Sequence, residues 1–313
     1  MPVDPQVEAF LAEFSKYPPL HELPLEVARS MALPSAPPVP LASIEDRVVP
    51  APEGRQIPIR IYRPLLDARL PAVIYYHGGG WVIGSLDSYD GLCRRIASQG
   101  ECVVISVDYR LAPEFKFPAA PDDALTAFHW VAAQAAALNI DGGRLVVAGD
   151  SAGGNLAAVT CVRLRDEGGP QPLAQLLIYP VVRHHLPAVG SLAENGQGYL
   201  LDQAAMAWFL GHYLAKESDQ LHPHYAVALT PNLAGLPPAL VITAEFDPLR
   251  DQGEEYAQRL RSEGNRAETW RFDGMIHGFY GLAGIDRGSE AVDRSVAWLR
   301  SVFAASTATN SGA

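Results

Sequence analysis

The chain has 313 residues, of which 48% are hydrophobic, 9% aromatic and 19% charged. This composition supports a large buried core, which excludes a disordered, collagen-like or coiled-coil protein, and the length fits one large α/β domain or two smaller domains. The 24 basic and 35 acidic residues give a net charge of −11, and no run of Lys or Arg exceeds two residues, so we do not expect nucleic acid as a partner.

The cysteines and the N-terminal residues bear on the compartment of the protein. Cys93, Cys102 and Cys161 cannot all pair within one chain, so we interpret them as buried thiols in a reducing compartment. The first residues contain neither a basic nor an apolar signal segment, and no stretch approaches the roughly 18 uninterrupted apolar residues that span a bilayer. We therefore expect a cytoplasmic protein without stable membrane insertion.

Residues 1–43 form the first block of the chain. Asp4 is placed to cap a helix that begins at Pro5, and apolar residues follow at helical spacing. A second helix is predicted over 25–31, and four prolines between residues 34 and 40 mark a boundary after it. The block therefore predicts two helices that precede the main sheet.

Strand and helix patterns then alternate along the chain. Ile57, Ile59 and Ile61 alternate with other residues, which predicts a half-buried antiparallel strand of a hairpin. Continuous apolar runs predict strands buried on both faces, as a parallel sheet requires, at 72–76, 102–107, 145–148, 176–179 and 239–243. A further strand is predicted at 269–272. Helices are predicted at 89–98, 119–137, 154–166, 253–262 and 289–303, with a disordered tail after residue 304. The alternation predicts an α/β fold, in which helices flank a mostly parallel sheet.

One long interval breaks this alternation. About 60 residues separate the strands that end near Tyr179 and begin near Ala239, whereas ~2–6 residues are typical of such a connection. The interval contains apolar residues such as Met206 and Leu210, which need a surface to pack against. We predict that residues 183–225 form an insertion, which packs with residues 1–43 as a helical cap on a main domain of residues 44–182 and 226–313.

A glycine-rich segment stands where a buried strand gives way to a helix. The sequence Gly149-Asp150-Ser151-Ala152-Gly153-Gly154 follows the predicted strand 145–148 and fits the GxSxG pattern. In that pattern, small residues allow a sharp turn that exposes the serine hydroxyl above the sheet. An ordinary glycine-rich turn also fits the pattern, but the position between strand and helix favours a nucleophile. Ser151 is therefore the candidate nucleophile.

A histidine is needed to activate this serine. A serine hydroxyl becomes strongly nucleophilic only when a base accepts its proton, and in this context the base follows the serine in the chain. Of the nine histidines, His277 follows the predicted strand 269–272 and lies in a loop. Six others lie in or beside the predicted cap, His129 lies in a predicted helix, and His77 precedes the serine. His277 is therefore the candidate base.

A carboxylate is needed to orient the histidine. Asp247 stands just beyond the predicted strand 239–243, at the carboxyl end of a strand, where the sites of open α/β sheets lie. Glu245, Asp251 and Asp273 are alternatives. Asp247 is the preferred candidate because its placement at the strand end is the best of the four.

A second glycine motif indicates where negative charge is stabilised. His77-Gly78-Gly79-Gly80-Trp81 follows the predicted strand 72–76, and three glycines let backbone N–H groups approach a reacting carbonyl. A glycine run can also be a plain flexible loop, but its pairing with the serine motif makes that interpretation the weaker one. We predict an oxyanion hole of Gly78, Gly79, Gly80 and Ala152, in which Gly79, Gly80 and Ala152 supply the main donors and Gly78 permits the turn. His77 is expected to fix the loop by hydrogen bonding.

No motif in the sequence predicts a metal or nucleotide site. The histidines show no HExxH spacing, and neither GxGxxG nor GxxxxGK[ST] occurs. We therefore expect no metal and no cofactor.

Five motifs together resemble the hormone-sensitive-lipase-like family of α/β-hydrolases, also called bacterial family IV esterases. They are HGGGW at 77–81, DYRLAPE at 108–114, GDSAGG at 149–154, DPL at 247–249 and HGF at 277–279. The match extends over nearly the whole chain, and HGGG followed by GDSAGG is highly specific. The resemblance implies an α/β-hydrolase fold with a helical cap, and it implies a triad of Ser151, Asp247 and His277.

The resemblance also implies an activity. Members of the family hydrolyse small-molecule carboxylic esters with short to medium acyl chains through an acyl-enzyme intermediate. They need no cofactor and are often homodimers. We therefore expect a carboxylesterase that acts on small esters, with homodimeric assembly as the associated prediction.

Two alternatives stay open at the level of sequence. The same residues could hydrolyse an amide, a peptide or a lactone, as an amidase or lactonase does. A receptor that binds a ligand in a hydrolase pocket is a different class, and plant gibberellin receptors, which resemble this family, lack the histidine that His277 provides here. Trp81, Trp208, Phe209 and Tyr213 are candidates for an acyl pocket, although such aromatic residues more often belong to a core.

Overall fold

The computed structural model describes residues 2–31, 33–35, 37–183 and 188–310. Within these ranges one sheet contains β1 (Ser43–Pro50), β2 (Gln56–Arg63), β3 (Leu70–Tyr76), β4 (Val103–Val107), β5 (Ile140–Asp150), β6 (Ala174–Ile178), β7 (Ala239–Phe246) and β8 (Ala267–Ile276). The spatial order is β1-β2-β4-β3-β5-β6-β7-β8. β2 runs antiparallel to both neighbours, and the other adjacent pairs are parallel. The predicted mostly parallel α/β sheet is therefore confirmed.

Burial depends on where a strand lies in this sheet. Every residue of β3 and β4 is buried, because apolar groups cover both faces of the central strands. Side chains alternate along β3, so that Val73 and Tyr75 join the core on one face while Ile74 and Tyr76 join the core on the other. In β2, nearer the edge, Pro58 is exposed between buried isoleucines. The continuous and alternating apolar patterns thus correspond to central and outer strands.

Each helix that the sequence places outside the insertion is present, with some ends shifted, and the insertion adds two more helices. The described residues contain α1 (Pro5–Phe14), α2 (Leu25–Ser30), α3 (Asp90–Gly100), α4 (Ala119–Gln134), α5 (Ala152–Asp166), α6 (Ser191–Asn195), α7 (Gln203–Tyr213), α8 (Arg250–Ser262) and α9 (Asp286–Asn310). No helix in the ranges given above is both long and apolar enough to cross a membrane.

The C-terminal helix corrects one expectation. The sequence predicted disorder after residue 304, but α9 continues to Asn310. Residues 305–310 contain neither Gly nor Pro, so nothing in them terminates a helix. Residues 311–313 lie outside the described residues.

The N-terminal block contacts both the insertion and the main sheet. The insertion contains α6, α7 and a 3₁₀ turn at Glu217–Leu221, and α7 contacts the N-terminal 3₁₀ turn at Leu20–Glu22. α1 instead packs on β8, where the N–H of Asp4 donates to the carbonyl of Gly274 at 3.1 Å. The division into a cap of 1–43 and 183–225 on a main domain stays a prediction, and residues 184–187 of it lie outside the described residues.

Arg29 ties α2 to two loops that follow central strands. Its Nε and Nη2 donate to the carbonyls of Val82 at 3.0 Å and Ala112 at 2.8 Å. Its guanidinium also pairs with both carboxylate oxygens of Glu114, at 2.8 and 2.6 Å. This pairing lowers the pKa of Glu114 to about 2. The N-terminal block is thereby held beside the loop that begins at the HGGGW motif.

The burial of β3 gives a prediction of stability. We expect Ile74→Ala to lower the free energy of unfolding by about 2–5 kcal/mol, because it removes a fully buried side chain and leaves a cavity. Urea denaturation followed by fluorescence measures this change. Leu65→Ala is the control, since Leu65 is 52% exposed and its loss should change stability by less than ~0.5 kcal/mol. Equal effects of the two substitutions would contradict the two-sided burial of β3.

Candidate active site

Ser151 lies at the turn between β5 and α5. Its backbone has φ 55° and ψ −116°, a conformation that is strained for any residue other than glycine. The N–H of Ser151 donates to the carbonyl of Ile178 at 2.8 Å. The carbonyl of Ser151 accepts from the N–H groups of Asn155 at 3.0 Å and Val181 at 3.2 Å. These bonds hold the sharp turn that the GxSxG pattern predicts.

The glycines on either side of the serine allow two backbone segments to approach closely. A Cβ on Gly153 would lie 1.9 Å from the carbonyl oxygen of Tyr76, and a Cβ on Gly149 would lie 2.5 Å from the same oxygen. Because the obstructing atom belongs to the backbone of β3, it could not move aside without displacing the strand. Both glycines are therefore required for the approach of β3 to the start of α5.

The predicted histidine and carboxylate meet the serine at the carboxyl edge of the sheet. His277 directly follows β8, and Asp247 directly follows β7. His277 Nε2 lies 3.0 Å from Ser151 Oγ, and His277 Nδ1 lies 2.8 Å from Asp247 Oδ2. The other oxygen of Asp247 accepts the N–H of Leu249 at 2.7 Å. Asp247 is fully buried, while Ser151 and His277 are 9% and 8% exposed. Solvent therefore reaches the serine and the histidine but not the aspartate.

Two of the alternative carboxylates, Glu245 and Asp251, have other partners. Glu245 accepts the N–H of Gly274 at 2.7 Å. Asp251 accepts the N–H of Ser191 at 2.7 Å and pairs with Arg250. Both ring nitrogens of His277 are already engaged, as described above. Of the four candidate acids, the structure thus brings Asp247 to the histidine.

Three of the predicted oxyanion amides are free. Within the part of the chain that the structure describes, the backbone N–H groups of Gly79, Gly80 and Ala152 donate to no protein acceptor. The carbonyl of Gly79 accepts from the N–H groups of Val82 at 3.0 Å and Ile83 at 2.9 Å, which folds the loop back on itself. These three amides can donate to an atom of a bound molecule.

Gly78 differs from its neighbours. Its N–H donates to Tyr89 Oη at 2.9 Å and to Asp150 Oδ1 at 3.0 Å. The sequence prediction included Gly78 in the oxyanion hole, but this N–H is occupied inside the protein. A Cβ on Gly78 would lie 2.3 Å from Asp150 Oδ2, so glycine is needed here for the close approach of this carboxylate.

His77 is fully buried beneath this loop. Its Nδ1 lies 2.7 Å from the carbonyl oxygen of Gly78, and its ring stacks on Tyr109 with centroids 4.4 Å apart. Tyr109 Oη in turn donates to the carbonyl of His77 at 2.8 Å. Burial lowers the pKa of His77 to about 4, which keeps the ring neutral near pH 7. These contacts fix the loop and make His77 a structural histidine.

The candidate aromatic residues divide into two groups. Trp81 and Tyr213 are buried and stack with centroids 4.2 Å apart and an interplanar angle of 4°, so they belong to the core. Phe209 of α7 is half-buried against Gly80, where a Cβ would lie 2.2 Å from its Cδ1. Trp208 contacts the edge of Phe209 with centroids 5.2 Å apart. Phe209 is therefore an aromatic residue of the insertion that lies against the loop of Gly78, Gly79 and Gly80, called the glycine loop below.

Two further features lie apart from these residues. Residues of α7 line a cavity of about 640 Å³, but none of the predicted site residues lines it. Among the residues that the structure describes, no group of three or more His, Cys, Asp or Glu side chains is arranged to hold a metal ion.

Known proteins are similar to this chain in sequence and in fold. Residues 73–281 match the model of a family described by its alpha/beta hydrolase fold. Esterase LipI of Mycobacterium tuberculosis is 43% identical over 277 residues, which cover 87% of this chain and 86% of LipI. The arylesterase of Saccharolobus solfataricus is 37% identical, with coverage of 90% and 93%. The solved structure of a hyperthermophilic esterase from the archaeon Pyrobaculum calidifontis aligns with a TM-score of 0.89 at 43% identity, covering 96% and 99%.

The chain therefore belongs to the α/β-hydrolase fold family and, within it, to the hormone-sensitive-lipase-like, bacterial family IV esterases that its motifs indicate. It is a carboxylesterase by class, since relatives that are 37–43% identical over most of the chain are named esterases or carboxylesterases.

Asp150 is the residue of this site that sequence reasoning missed. It forms part of the GDSAGG motif, but the motif was interpreted through its serine and glycines alone. Its carboxylate, 6% exposed as a residue, is bonded to Tyr75, Tyr89 and Gly78. A charged residue at the end of a continuous apolar strand was the available signal, because an ionised group is rarely buried without a specific partner.

The approach of β3 to α5 gives a prediction about Gly153. We expect Gly153→Ala to lower the free energy of unfolding by about 3 kcal/mol or more, because its methyl group would overlap the Tyr76 carbonyl. Thermal and urea denaturation measure the effect. In Gly211→Ala, the methyl group meets no atom within 4 Å and lies inside α7, so the helix should gain up to ~1 kcal/mol. A Gly153→Ala protein as stable as the wild type would refute the close contact.

Proposed function

We propose that the protein hydrolyses carboxylic esters through Ser151, His277 and Asp247, with an acyl-enzyme intermediate on Ser151. One observation carries the proposal: a continuous path of short contacts runs from Ser151 Oγ to His277 Nε2 at 3.0 Å and from His277 Nδ1 to Asp247 Oδ2 at 2.8 Å. A nucleophile, a base and an orienting acid at hydrogen-bond distance are the parts that acyl transfer requires.

Acylation begins at the serine. Ser151 Oγ attacks the ester carbonyl carbon while His277 Nε2 accepts the serine proton. A tetrahedral intermediate forms, and it collapses when His277 gives the proton to the alcohol oxygen, which leaves. Water activated by the same Nε2 then attacks the acyl-enzyme, and the acid and free serine are released. His277 thus moves one proton in each half of the reaction.

Asp247 acts through the histidine. Its contact to Nδ1 favours the tautomer with the proton on Nδ1, which leaves Nε2 free to accept the serine proton. The carboxylate also stabilises the imidazolium that forms in each step. The N–H of Leu249 holds the second carboxylate oxygen, so the orientation of Asp247 is fixed before substrate binds.

The negative charge of the tetrahedral intermediate needs donors. The amides of Gly79, Gly80 and Ala152 support this role, because the described residues leave them without an acceptor. Gly78 is left out of the proposed oxyanion hole because its N–H is bonded to Asp150 and Tyr89. Donors placed at the developing oxyanion contribute about 10²–10³-fold each to turnover in comparable enzymes.

Short to medium acyl chains are the proposed substrates. Phe209 lies against Gly80, which narrows the space above the glycine loop. A relative from Pseudomonas putida, 37% identical over 300 residues, is named an ethyl acetate hydrolase, an enzyme for a small ester. Location in the cytoplasm and homodimeric assembly remain predictions from the sequence.

The triad gives the first test. We expect Ser151→Ala to lower kcat for p-nitrophenyl butyrate by ~10⁶-fold and Asp247→Asn by ~10⁴-fold, because the first removes the nucleophile and the second removes the anion that orients His277. Steady-state kinetics measures both. Ser106→Ala, which alters a buried serine of β4, is the control and should leave kcat within twofold. Retained activity in Ser151→Ala would rule out the proposed nucleophile.

The acyl preference gives a second test. We expect kcat/KM for p-nitrophenyl esters from acetyl to palmitoyl to peak at eight carbons or fewer and to fall steeply for longer chains, because Phe209 restricts the space. Phe209→Ala should shift the optimum toward longer chains.

A butyryl anilide and a γ-lactone in the same assay distinguish an esterase from an amidase or lactonase. Faster cleavage of the anilide or the lactone than of the ester would overturn the substrate class proposed here.

A further inference from the structure

Asp150 accepts hydrogen bonds from three structural elements. Its Oδ1 accepts from Tyr75 Oη at 2.9 Å and from the N–H of Gly78 at 3.0 Å. Its Oδ2 accepts from Tyr89 Oη at 2.8 Å. Tyr89 Oη itself accepts from the N–H of Gly78 at 2.9 Å, which closes a ring of hydrogen bonds. The carboxylate thus connects the end of β5 with β3, with the glycine loop and with the residue before α3.

Burial of an ionised carboxylate costs solvation free energy, which hydrogen bonds offset only in part. Burial raises the pKa of Asp150, and the hydroxyls of Tyr89 and Tyr75 counteract that rise. No Lys or Arg among the described residues forms an ion pair with Asp150, so its hydrogen bonds come from neutral donors; a charge on His277 also lowers its pKa. An apolar residue would pack in the interior without this penalty. Stability alone therefore does not account for a carboxylate here.

Asp150 and Gly78 are each the chain neighbour of a group that the proposed reaction uses. Asp150 is joined directly to Ser151, and Gly78 is joined directly to Gly79. The 3.0 Å contact between the Gly78 N–H and Asp150 Oδ1 consequently links the nucleophile to the first oxyanion amide by a single hydrogen bond. The absence of a side chain at Gly78 is needed for this contact, since a Cβ would lie 2.3 Å from Asp150 Oδ2.

We propose that Asp150 is a positioning residue, which holds the glycine loop at the distance from Ser151 that places the Gly79 and Gly80 amides on the tetrahedral oxyanion. This inference rests on the proposed function of Ser151 as the nucleophile. Tyr89 supports this arrangement, because its hydroxyl donates to the second carboxylate oxygen of Asp150 and accepts from the Gly78 N–H. Asp150 touches no substrate and acts through the loop.

A displaced glycine loop should reduce the stabilisation of the transition state more than it reduces binding of the ester. A displacement of about 1 Å in a catalytic group can lower turnover by ~10²-fold. We expect Asp150→Ala to lower kcat for p-nitrophenyl butyrate by about 100-fold with KM changed less than threefold. Asp150→Asn keeps an Oδ1 acceptor for Gly78 and Tyr75, so it should restore kcat to within about tenfold of the wild type. Tyr89→Phe should lower kcat by about tenfold.

An alkyl trifluoromethyl ketone tests the oxyanion directly. Ser151 Oγ adds to its carbonyl carbon, the carbonyl π electrons move to the oxygen, and the serine proton passes to His277, so the adduct presents the oxyanion of the intermediate. Its inhibition constant should rise in Asp150→Ala and Tyr89→Phe by the same factors by which kcat/KM falls. Tyr76→Phe is the matched control, because it removes a buried hydroxyl of β3 that donates to the Ala124 carbonyl at 2.9 Å on the opposite face.

The outcomes separate this inference from the proposed function. A purely structural role would lower the melting temperature of the variants while leaving kcat and the inhibition constant unchanged below it, and that result would overturn the proposal. If Asp150→Ala does not fold, Asp150→Asn and Tyr89→Phe decide, and an unchanged inhibition constant in both refutes it. Failure of the proposed function has a different signature, namely a wild-type enzyme that the ketone does not inhibit and a Ser151→Ala enzyme that stays active.

Discussion

The close contact between the backbone at the end of β3 and the first turn of α5 is the constraint on which the site depends. Gly153 has no Cβ, which lets the carbonyl oxygens of Tyr76 and His77 approach its backbone. A Cβ at this position would lie 1.9 and 2.6 Å from these two oxygens. This contact brings the glycine loop after β3 and the serine after β5 to one edge of the sheet. Side-chain contacts then refine a distance that backbone packing has already set, because β3 and β5 are neighbouring parallel strands.

Two buried carboxylates flank the serine in different electrostatic settings. Asp247 contacts His277 and can balance the positive charge that develops on the ring during catalysis. Asp150 has two tyrosine hydroxyls and one amide as hydrogen-bond partners and makes no direct contact with His277. In the proposed mechanism, the partners of each carboxylate therefore decide its role, so that one stabilises a transient cation and the other holds a loop.

Local patterns in the sequence predicted much of this fold and most of the candidate site. Continuous apolar runs gave five strands of the parallel sheet, β3 to β7, since burial on both faces removes polar positions. Chain order together with placement just after a predicted strand favoured His277 and Asp247 over the other histidines and acids that follow the serine. The extension of α9 past residue 304 was missed because a small, polar composition indicates disorder even where no helix breaker occurs. The occupied N–H of Gly78 was missed because its acceptor, Asp150, is 72 residues away.

The sequence by itself determined which chemistry the chain carries: a strained serine turn, a glycine-rich loop, and a histidine and an aspartate that follow later strands. These features depend on residue type and on neighbours close in the chain. Only the tertiary structure decided which carboxylate meets His277, which glycine amides stay free, and that Phe209 of the insertion lies on Gly80. Such outcomes depend on strand order and on contacts between distant segments, which a one-dimensional pattern does not contain.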